Sequence, residues 1–442
     1  MRSAEAVFEP QGGHDLPLSP GRYLAGEGIL DRVGEMARPF GSQAILIADR
    51  LVMDLAGPQV GGSLRRAGLR VREQLFPGET SPEAVEGAAT RWGALEGAVL
   101  VGMGGGKALD YAKAVADRAG RPVLMVPTSA ATCAAASACA ILYAGGRYVE
   151  TRPDTPPVCC LVDYQIIAEA PPRLLASGIA DALAKWEEGR LHEGTALTFP
   201  ERVALEVARR VHADLWERGG GAVEDCRKKE ATARLKAVVD ANILGAGLCS
   251  VLGGHRLRSA AAHAFALSLT LTGERIAALH GETVGFGLVF QCCLLGEREE
   301  AAALAVLLRG LGLPPTLADL LGRDLPPAGR AALARLLLRP KSGIHLLPRP
   351  VTEASILRAL EEADALGGKQ AAAPPPPPAP PGGPRHRKAR GAPGEGRLRG
   401  APGTPPRRPP GARPPSGSPG PASASVAPCA PAGRGRRGTP AA

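Results

Sequence analysis

Two histidines and one carboxylate are the residues best suited to chemistry in this chain. His263 and His280 sit on apolar segments of AAAHAFALSLTLTGERIAALHGETVGFG, Ala260 to Gly287, split by a polar turn at Thr272-Gly273-Glu274. They are 17 positions apart; on one straight helix that is about 25 Å, too far for a single ion. Two helices folded back at Gly273 would bring both imidazoles to one point. A third ligand must come from elsewhere, and Asp181 in SGIADALAKWEE, an acid in an otherwise Ala/Leu-rich helix start, is the candidate. Two imidazoles and a carboxylate with open positions suit a catalytic divalent metal, zinc or iron(II). From these residues alone the competing reading also stands, in which each histidine is a satisfied core or surface residue, because so wide a spacing is not a ligand motif.

A second group of residues could handle phosphate. The turn Val101-Gly102-Met103-Gly104-Gly105-Gly106-Lys107 lies between a strand pattern and a helix pattern opening at Ala108. Glycines let backbone amides approach a phosphate, and a helix N-terminus adds a positive field. The spacing is neither GxGxxG nor GxxxxGK[ST], so a plain tight turn is the alternative. Its place after a central-looking strand favours a pyrophosphate cradle. Asp49, just past another strand, could accept hydrogen bonds from ribose hydroxyls and would repel a 2′-phosphate, favouring NAD over NADP; a solvated helix cap is the alternative. The small, polar stretch Val126 to Ser137, which includes Thr128, Ser129, Ala131 and Cys133, can line a ligand cleft.

These residues need elements to hold them. From Arg22 to about Thr128 short apolar runs alternate with helical patterns. Strands are expected near Tyr23–Ala25, Ala44–Ile47, Val71–Phe76, Gly97–Val101, Pro122–Val126, Ile141–Ala144 and Val158–Val162. Ser81-Pro82-Glu83 reads as a helix start. Such alternation predicts a mostly parallel sheet covered on both faces. After Tyr164 the pattern turns helical, with one helix after Pro171-Pro172, another from Asp181 to Glu188, and further helices at Glu201–Trp216, Glu224–Leu244, Ser259–Leu271 and His280–Leu294. The expected class is α/β, a Rossmann-like parallel-sheet domain over 22–163 followed by an all-helical domain over 164–368. Residues 1–21 read as a lead-in. Residues 369–442, rich in Pro, Gly and Arg with five prolines at Pro374–Pro378, cannot build a core and are expected to be a disordered tail.

Composition narrows the partners. The net charge of +10 belongs to the tail: twelve of 53 Lys/Arg and one of 43 acids follow Gln370, leaving 41 bases against 42 acids. No specific nucleic-acid partner is therefore expected. Nine cysteines, an odd number without CxxC, form neither a disulfide framework nor a zinc knuckle. Reduced thiols in a cytoplasm fit best. The N-terminus has no apolar signal core, and no apolar run is read as long enough to span a bilayer.

GGGKALDYAKAVAD, PTSAATCAAAS, LASGIADALAKWEE, AAAHAF and LHGETVGFG follow one another in order. Together they resemble the glycerol dehydrogenase branch of the iron-containing alcohol dehydrogenase superfamily, from about Arg22 to Leu366. ATCAA and the late LRPKSGIHLLP are similar to the hydroxycarboxylate dehydrogenases of that branch, which reduce 2-oxo acids with a nicotinamide cofactor. The resemblance implies a dehydroquinate synthase-like fold, NAD (or NADP) with one zinc or iron(II), a small-molecule substrate and a homo-oligomer. It implies Asp181, His263 and His280 as metal ligands; Gly104, Gly105, Gly106 and Lys107 as the pyrophosphate loop, with Ala108 and Ser129 beside it; and Asp49 at the adenosine ribose. It places Thr128, Ala131, Ser137, Cys139 and Tyr143 along the nicotinamide half. Glycerol dehydrogenases usually carry Asp where this chain has Cys133. Losing that charge beside the substrate shifts the expectation toward an anionic hydroxy acid, with Lys185, Arg256 and Arg258 as candidate carboxylate partners, although a plain surface charge is the favoured reading of each. A polyol dehydrogenase is the nearest alternative. A lyase on the same fold and an inactive dinucleotide-binding relative are more distant ones. Ala136, Ala138 and Ala266-Leu267 replace bulkier or polar family residues, so the pocket should be roomier.

Overall fold

The computed structural model describes residues 16–368 apart from Asp154. The tail and most of the lead-in therefore lie outside the described residues. Eight strands are β1 (Tyr23–Gly26), β2 (Gln43–Ala48), β3 (Arg70–Leu75), β4 (Ala98–Gly104), β5 (Val123–Pro127), β6 (Cys139–Ala144), β7 (Arg147–Pro153) and β8 (Cys159–Asp163). Among them run α1 (Val33–Ala37), α2 (Arg50–Arg66), α3 (Pro82–Gly93) and α4 (Gly106–Ala119). The remainder is helical: α5 (Tyr164–Glu169), α6 (Pro172–Gly189), α7 (Phe199–Arg227), α8 (Ala233–Asp240), α9 (Ala246–Leu252), α10 (Gly254–Arg258), α11 (Ala261–Leu271) and α12 (His280–Leu295). It closes with α13 (Arg298–Gly310), α14 (Leu317–Leu321), α15 (Pro327–Leu337) and α16 (Glu353–Gly367). The class is two-domain α/β, as expected.

Six strands form one parallel sheet in the order β1-β8-β5-β4-β2-β3. The central strands QAILIA and AVLVGMG are buried at every position, the signature of a parallel strand covered on both faces. Alternate residues feed two cores. Ile45, Ile47 and Leu100 join the larger core with α4 and the C-terminal helices, whereas Ala44, Leu46, Val99 and Val101 pack with α1 and α2. The polar sequence RVREQL puts β3 at the edge, half or fully exposed.

From β2 the chain goes outward to β3, and from β4 it goes the other way to β5. The order therefore reverses between the neighbours β2 and β4, whose carboxyl ends carry Asp49 and the glycine turn. In open α/β sheets a crevice at such a switch point is where ligands bind.

Several details differ from the expectation. β6 is not in the sheet; it pairs antiparallel with β7, a strand the sequence did not suggest. Their two-residue turn, Gly145-Gly146, has φ of 59° and 75°, and both amides donate to Glu79. The expected helices before and after Asp181 are one helix, α6, so Asp181 is mid-helix and not at a helix start. Helix α7 runs unbroken through Gly219-Gly220-Gly221, which propensity alone would break. Packing overrides it: a Cβ at Gly219 would stand 3.3 Å from Ile179 of α6. Ala233–Leu252, contrary to the sequence reading, is long and apolar enough to cross a membrane by length and composition. Here it is α8, a π-helical turn at Ala241–Gly245 and α9, with 56% of its most apolar window buried inside the fold.

Candidate active site

Helix α6 brings Asp181 to the cleft with its carboxylate 94% buried. Helices α11 and α12 fold back across a turn at Gly273, φ +81°, and set the His263 and His280 rings 5.8 Å apart. Nε2 of His263 stands 3.4 Å from Asp181 Oδ1, and Nε2 of His280 stands 3.6 Å from the same oxygen. One ligand atom from each of the three lies within 4.8 Å of the other two. The residues expected to meet therefore do meet. His280 leaves the site open on one side, its side chain 36% exposed.

Close backbone approach makes the meeting possible. A Cβ at Gly281, next to His280, would sit 1.9 Å from the Ser177 carbonyl oxygen of α6. Arg173 of α6 then grips Glu282 with two hydrogen bonds of 2.6 Å, and Glu282 accepts from the Leu279 amide at 2.7 Å.

Glu188 is the residue that sequence reasoning missed. It lies two helical turns beyond Asp181 on α6, on the same face. Its Oε2 is 2.5 Å from His263 Nδ1, and its Oε1 accepts from the amides of Ala260 and His263 at 2.6 and 3.0 Å. A carboxylate on Nδ1 fixes the tautomer that turns the Nε2 lone pair toward a metal. The seven-residue spacing from Asp181 was the signal available.

The charges follow from this geometry. Burial opposes ionisation of Asp181, but Lys185 and the two imidazoles outweigh it and hold the carboxyl well below its usual range. Burial likewise opposes the His263 cation, yet Glu188 and Asp181 push the imidazole up to about 9. Desolvation lowers His280, so it is neutral and ready to ligate near pH 7. Asp181 Oδ1 is buried without a hydrogen-bond partner. Buried carboxylate oxygens rarely stay unpaired, and a cation between Asp181 and the two Nε2 atoms satisfies all three. The donor set fits a divalent metal.

The glycine turn closes β4 and opens α4. Gly104 has φ +134°, Gly105 caps α4 without a side-chain bond, and a Cβ on Gly106 would stand 2.8 Å from Thr132 Oγ1. That leaves the first amides of a 14-residue helix unmasked. Asp49 is the helix cap of the alternative reading, and its second carboxylate oxygen lies beside the glycine turn. Its Oδ1 caps α2 through Val52 N at 2.9 Å, and its Oδ2 lies 3.7 Å from where a Gly104 Cβ would be. Ser129 Oγ is 3.7 Å from the Cβ position of Gly105, and Thr128 N donates to Gly104 O at 3.1 Å. Lys107 sits 5.6 Å from the Tyr143 ring centroid. Ala108 is buried and packs behind the turn, 3.1 Å from the Gly104 Cβ position.

Ser137 and Cys139 are held from behind. The buried Lys113 donates to Ser137 Oγ at 2.9 Å and to the Cys139 carbonyl, and pairs with Asp110 at 3.0 Å. Asp110 in turn accepts from Ile141 N. Ala131 and Cys133 line the half-buried loop beyond β5. Cys133 Sγ is 3.8 Å from Ser250 Oγ, and burial pushes its thiol pKa up, so it is a neutral wall. Lys185 is 97% buried and donates no hydrogen bond among the described residues; Asp181 and Cys133 are its electrostatic neighbours. Arg256 is committed elsewhere, to Ala196, Thr195 and Glu201.

Residues 24–171 match the family described as iron-containing alcohol dehydrogenase. A glycerol dehydrogenase of Pseudomonas putida is 37% identical over 363 residues, 79% of this chain and 97% of that protein. The chain belongs to the iron-containing alcohol dehydrogenase family. Its members are oxidoreductases acting on CH–OH groups, and this chain is one of them. A hydroxycarboxylate dehydrogenase A of Escherichia coli (strain K12) is 34% identical over 298 residues, covering 66% of this chain and 81% of that protein. A crystal structure of a probable glycerol dehydrogenase from Sinorhizobium meliloti 1021 superposes with a TM-score of 0.71 at 29% identity, over 79% of this chain and 98% of the other.

Proposed function

We propose that this alcohol dehydrogenase homologue is a metal-dependent, NAD-linked enzyme. It moves hydride reversibly between nicotinamide and a small 2-hydroxy acid/2-oxo acid pair. The observation that carries the reading is the orphaned Asp181 Oδ1, buried and within 3.6 Å of both imidazole Nε2 atoms. Asp181, His263 and His280 would hold zinc or iron(II). When bound, the metal supplies Lewis acidity toward the substrate oxygen, and the dinucleotide supplies the hydride acceptor.

The chain's own residues do the rest. Glu188 keeps the His263 proton on Nδ1. The turn Gly104–Gly106 and the α4 N-terminus bind pyrophosphate, and Asp49 accepts from the adenosine ribose and disfavours a 2′-phosphate. Lys185 places a buried positive charge beside the pocket, where a substrate carboxylate can pair with it. Cys133 leaves that carboxylate unopposed, where an Asp would repel it. The leaving proton exits through water or ribose hydroxyls.

A polyol substrate is the second reading, favoured by the glycerol dehydrogenase identity of the Pseudomonas putida relative. We place the enzyme in the cytoplasm as a homo-oligomer, with domains at 22–163 and 164–368. The test is a panel of 2-oxo acids and polyols with NADH/NAD and NADPH/NADP, after loading with Zn²⁺ or Fe²⁺. Faster turnover of 2-oxo acids with NADH supports the proposal; glycerol oxidation without 2-oxo acid reduction replaces it with the polyol reading.

A further inference from the structure

One residue before Glu188, helix α6 turns Glu187 away from the cleft and toward α7 and α13. There it meets His212 of α7 and Glu300 of α13. Glu187 is 99% buried and His212 93% buried. One oxygen from each carboxylate and one nitrogen of His212 all lie within 4.8 Å of one another. His212 Nε2 is 3.0 Å from Glu187 Oε1 but not aligned for a hydrogen bond. Both that nitrogen and Glu300 Oε1 are buried with no hydrogen-bond partner. Two of the three residues thus carry an orphaned ligand atom, and Trp186 and Trp216 flank His212, their ring centroids 6.5 and 5.3 Å from its own.

The charges around the point do not balance. Glu187 Oε2 accepts from Arg190 Nε at 2.8 Å, and Arg190 also binds Glu297, at 2.5 and 3.2 Å. Arg190 is thus shared by Glu187 and the partly exposed Glu297, while the half-buried Glu300 forms no ion pair among the described residues. A buried carboxylate without a counter-charge is costly, and a divalent cation at this point would supply one. An imidazole with two carboxylates is a zinc-type donor set; calcium and magnesium prefer more ligands, all oxygen.

We propose that Glu187, His212 and Glu300 bind a second divalent ion, Zn²⁺, separate from the catalytic cleft. The ion ties α6, the helix carrying Asp181, Lys185 and Glu188, to α7 and α13. It is a structural clamp, with open coordination filled by water. The rival occupant is a proton, giving a cationic His212 that bridges the two carboxylates.

The test is zinc stoichiometry of the full chain after loading with Zn²⁺ and gel filtration, by mass spectrometric metal analysis. The expected result is two zinc per chain in the wild type and one in His263→Ala. One is also expected in His212→Ala and in Glu300→Gln, and none in His263→Ala/His212→Ala. His212→Ala and Glu300→Gln should keep zinc-dependent turnover, because their catalytic ion stays in place. Adding Zn²⁺ should raise the melting temperature of His263→Ala but not of the double variant. If His212→Ala fails to fold, Glu300→Gln, which keeps the size of the side chain, gives the count. Wild-type zinc content in a folded Glu300→Gln or His212→Ala overturns the proposal in favour of the bridging proton. Because the two ions are removed by different substitutions, failure of the clamp and failure of the catalytic site are separately visible.

Discussion

Glu188 decides which nitrogen of His263 faces the cleft, and so the metal site depends on a residue that would never touch the metal. Carboxylates behind a ligating histidine typically contribute about 10–100-fold in metal affinity. Glu188→Gln should weaken zinc binding by about that factor, read by competition against a chromogenic chelator; unchanged affinity would leave Glu188 a packing residue only. The raised His263 pKa gives a pH prediction with a definite sign. In the metal-free protein the protonated form is favoured by folding, so its stabilisation is full below pH 6.5 and lost as pH rises toward about 9. Metal needs the neutral ring, so zinc affinity should rise over the same window. Thermal melts with and without zinc from pH 6.5 to 9 should therefore diverge, the metal-free curve falling and the zinc-induced gain growing. At this scale the three proposed ligands were legible through the family resemblance, because two widely spaced imidazoles and an acid by themselves left a core or surface role open. Glu188 was not, because its role exists only once His263 is folded against α6.

At the scale of elements, the site is a set of close backbone approaches. Gly281 lets α12 lie on Ser177 of α6, and any Cβ there collides with a carbonyl oxygen at 1.9 Å. Gly281→Ala should cost about 1–3 kcal/mol, the usual range for overpacking, and should weaken zinc binding by displacing His280. Urea unfolding and zinc titration on the same variant check both effects. Gly104 has φ +134° at the end of β4, a region that only glycine adopts without strain of about 1–3 kcal/mol. Gly104→Ala should therefore raise the NADH dissociation constant while leaving zinc content unchanged. The central strands were readable because continuous apolar runs between turns have one solution in a parallel sheet. β7 was not, because RYVETRP is polar and exists through its pairing with β6. The joining of two expected helices into α6, and the passage of α7 through three glycines, came from tertiary contacts that propensity does not contain.

For the whole molecule, net charge sets the last part of the chain apart from the body. The body is nearly neutral, the net positive charge lies after Gln370, and the relatives align with about four fifths of the chain. Removing residues 371–442 should leave kcat and KM unchanged in NADH-linked assays; lost turnover in a still-folded truncation would assign the tail a catalytic part. Composition was enough to expect a boundary there, and the order of the glycine turn, Asp181 and the two histidines was enough to expect a cleft. What the sequence could not supply is the packing that makes the cleft one site, because the three proposed ligands are brought together by α6, α11 and α12 pressing on each other. The most direct test is anomalous diffraction from zinc-loaded crystals of the active enzyme. We predict a zinc peak about 2.0–2.2 Å from a carboxylate oxygen of Asp181 and from Nε2 of both His263 and His280. An active, zinc-loaded crystal with no density among those three side chains would contradict the account.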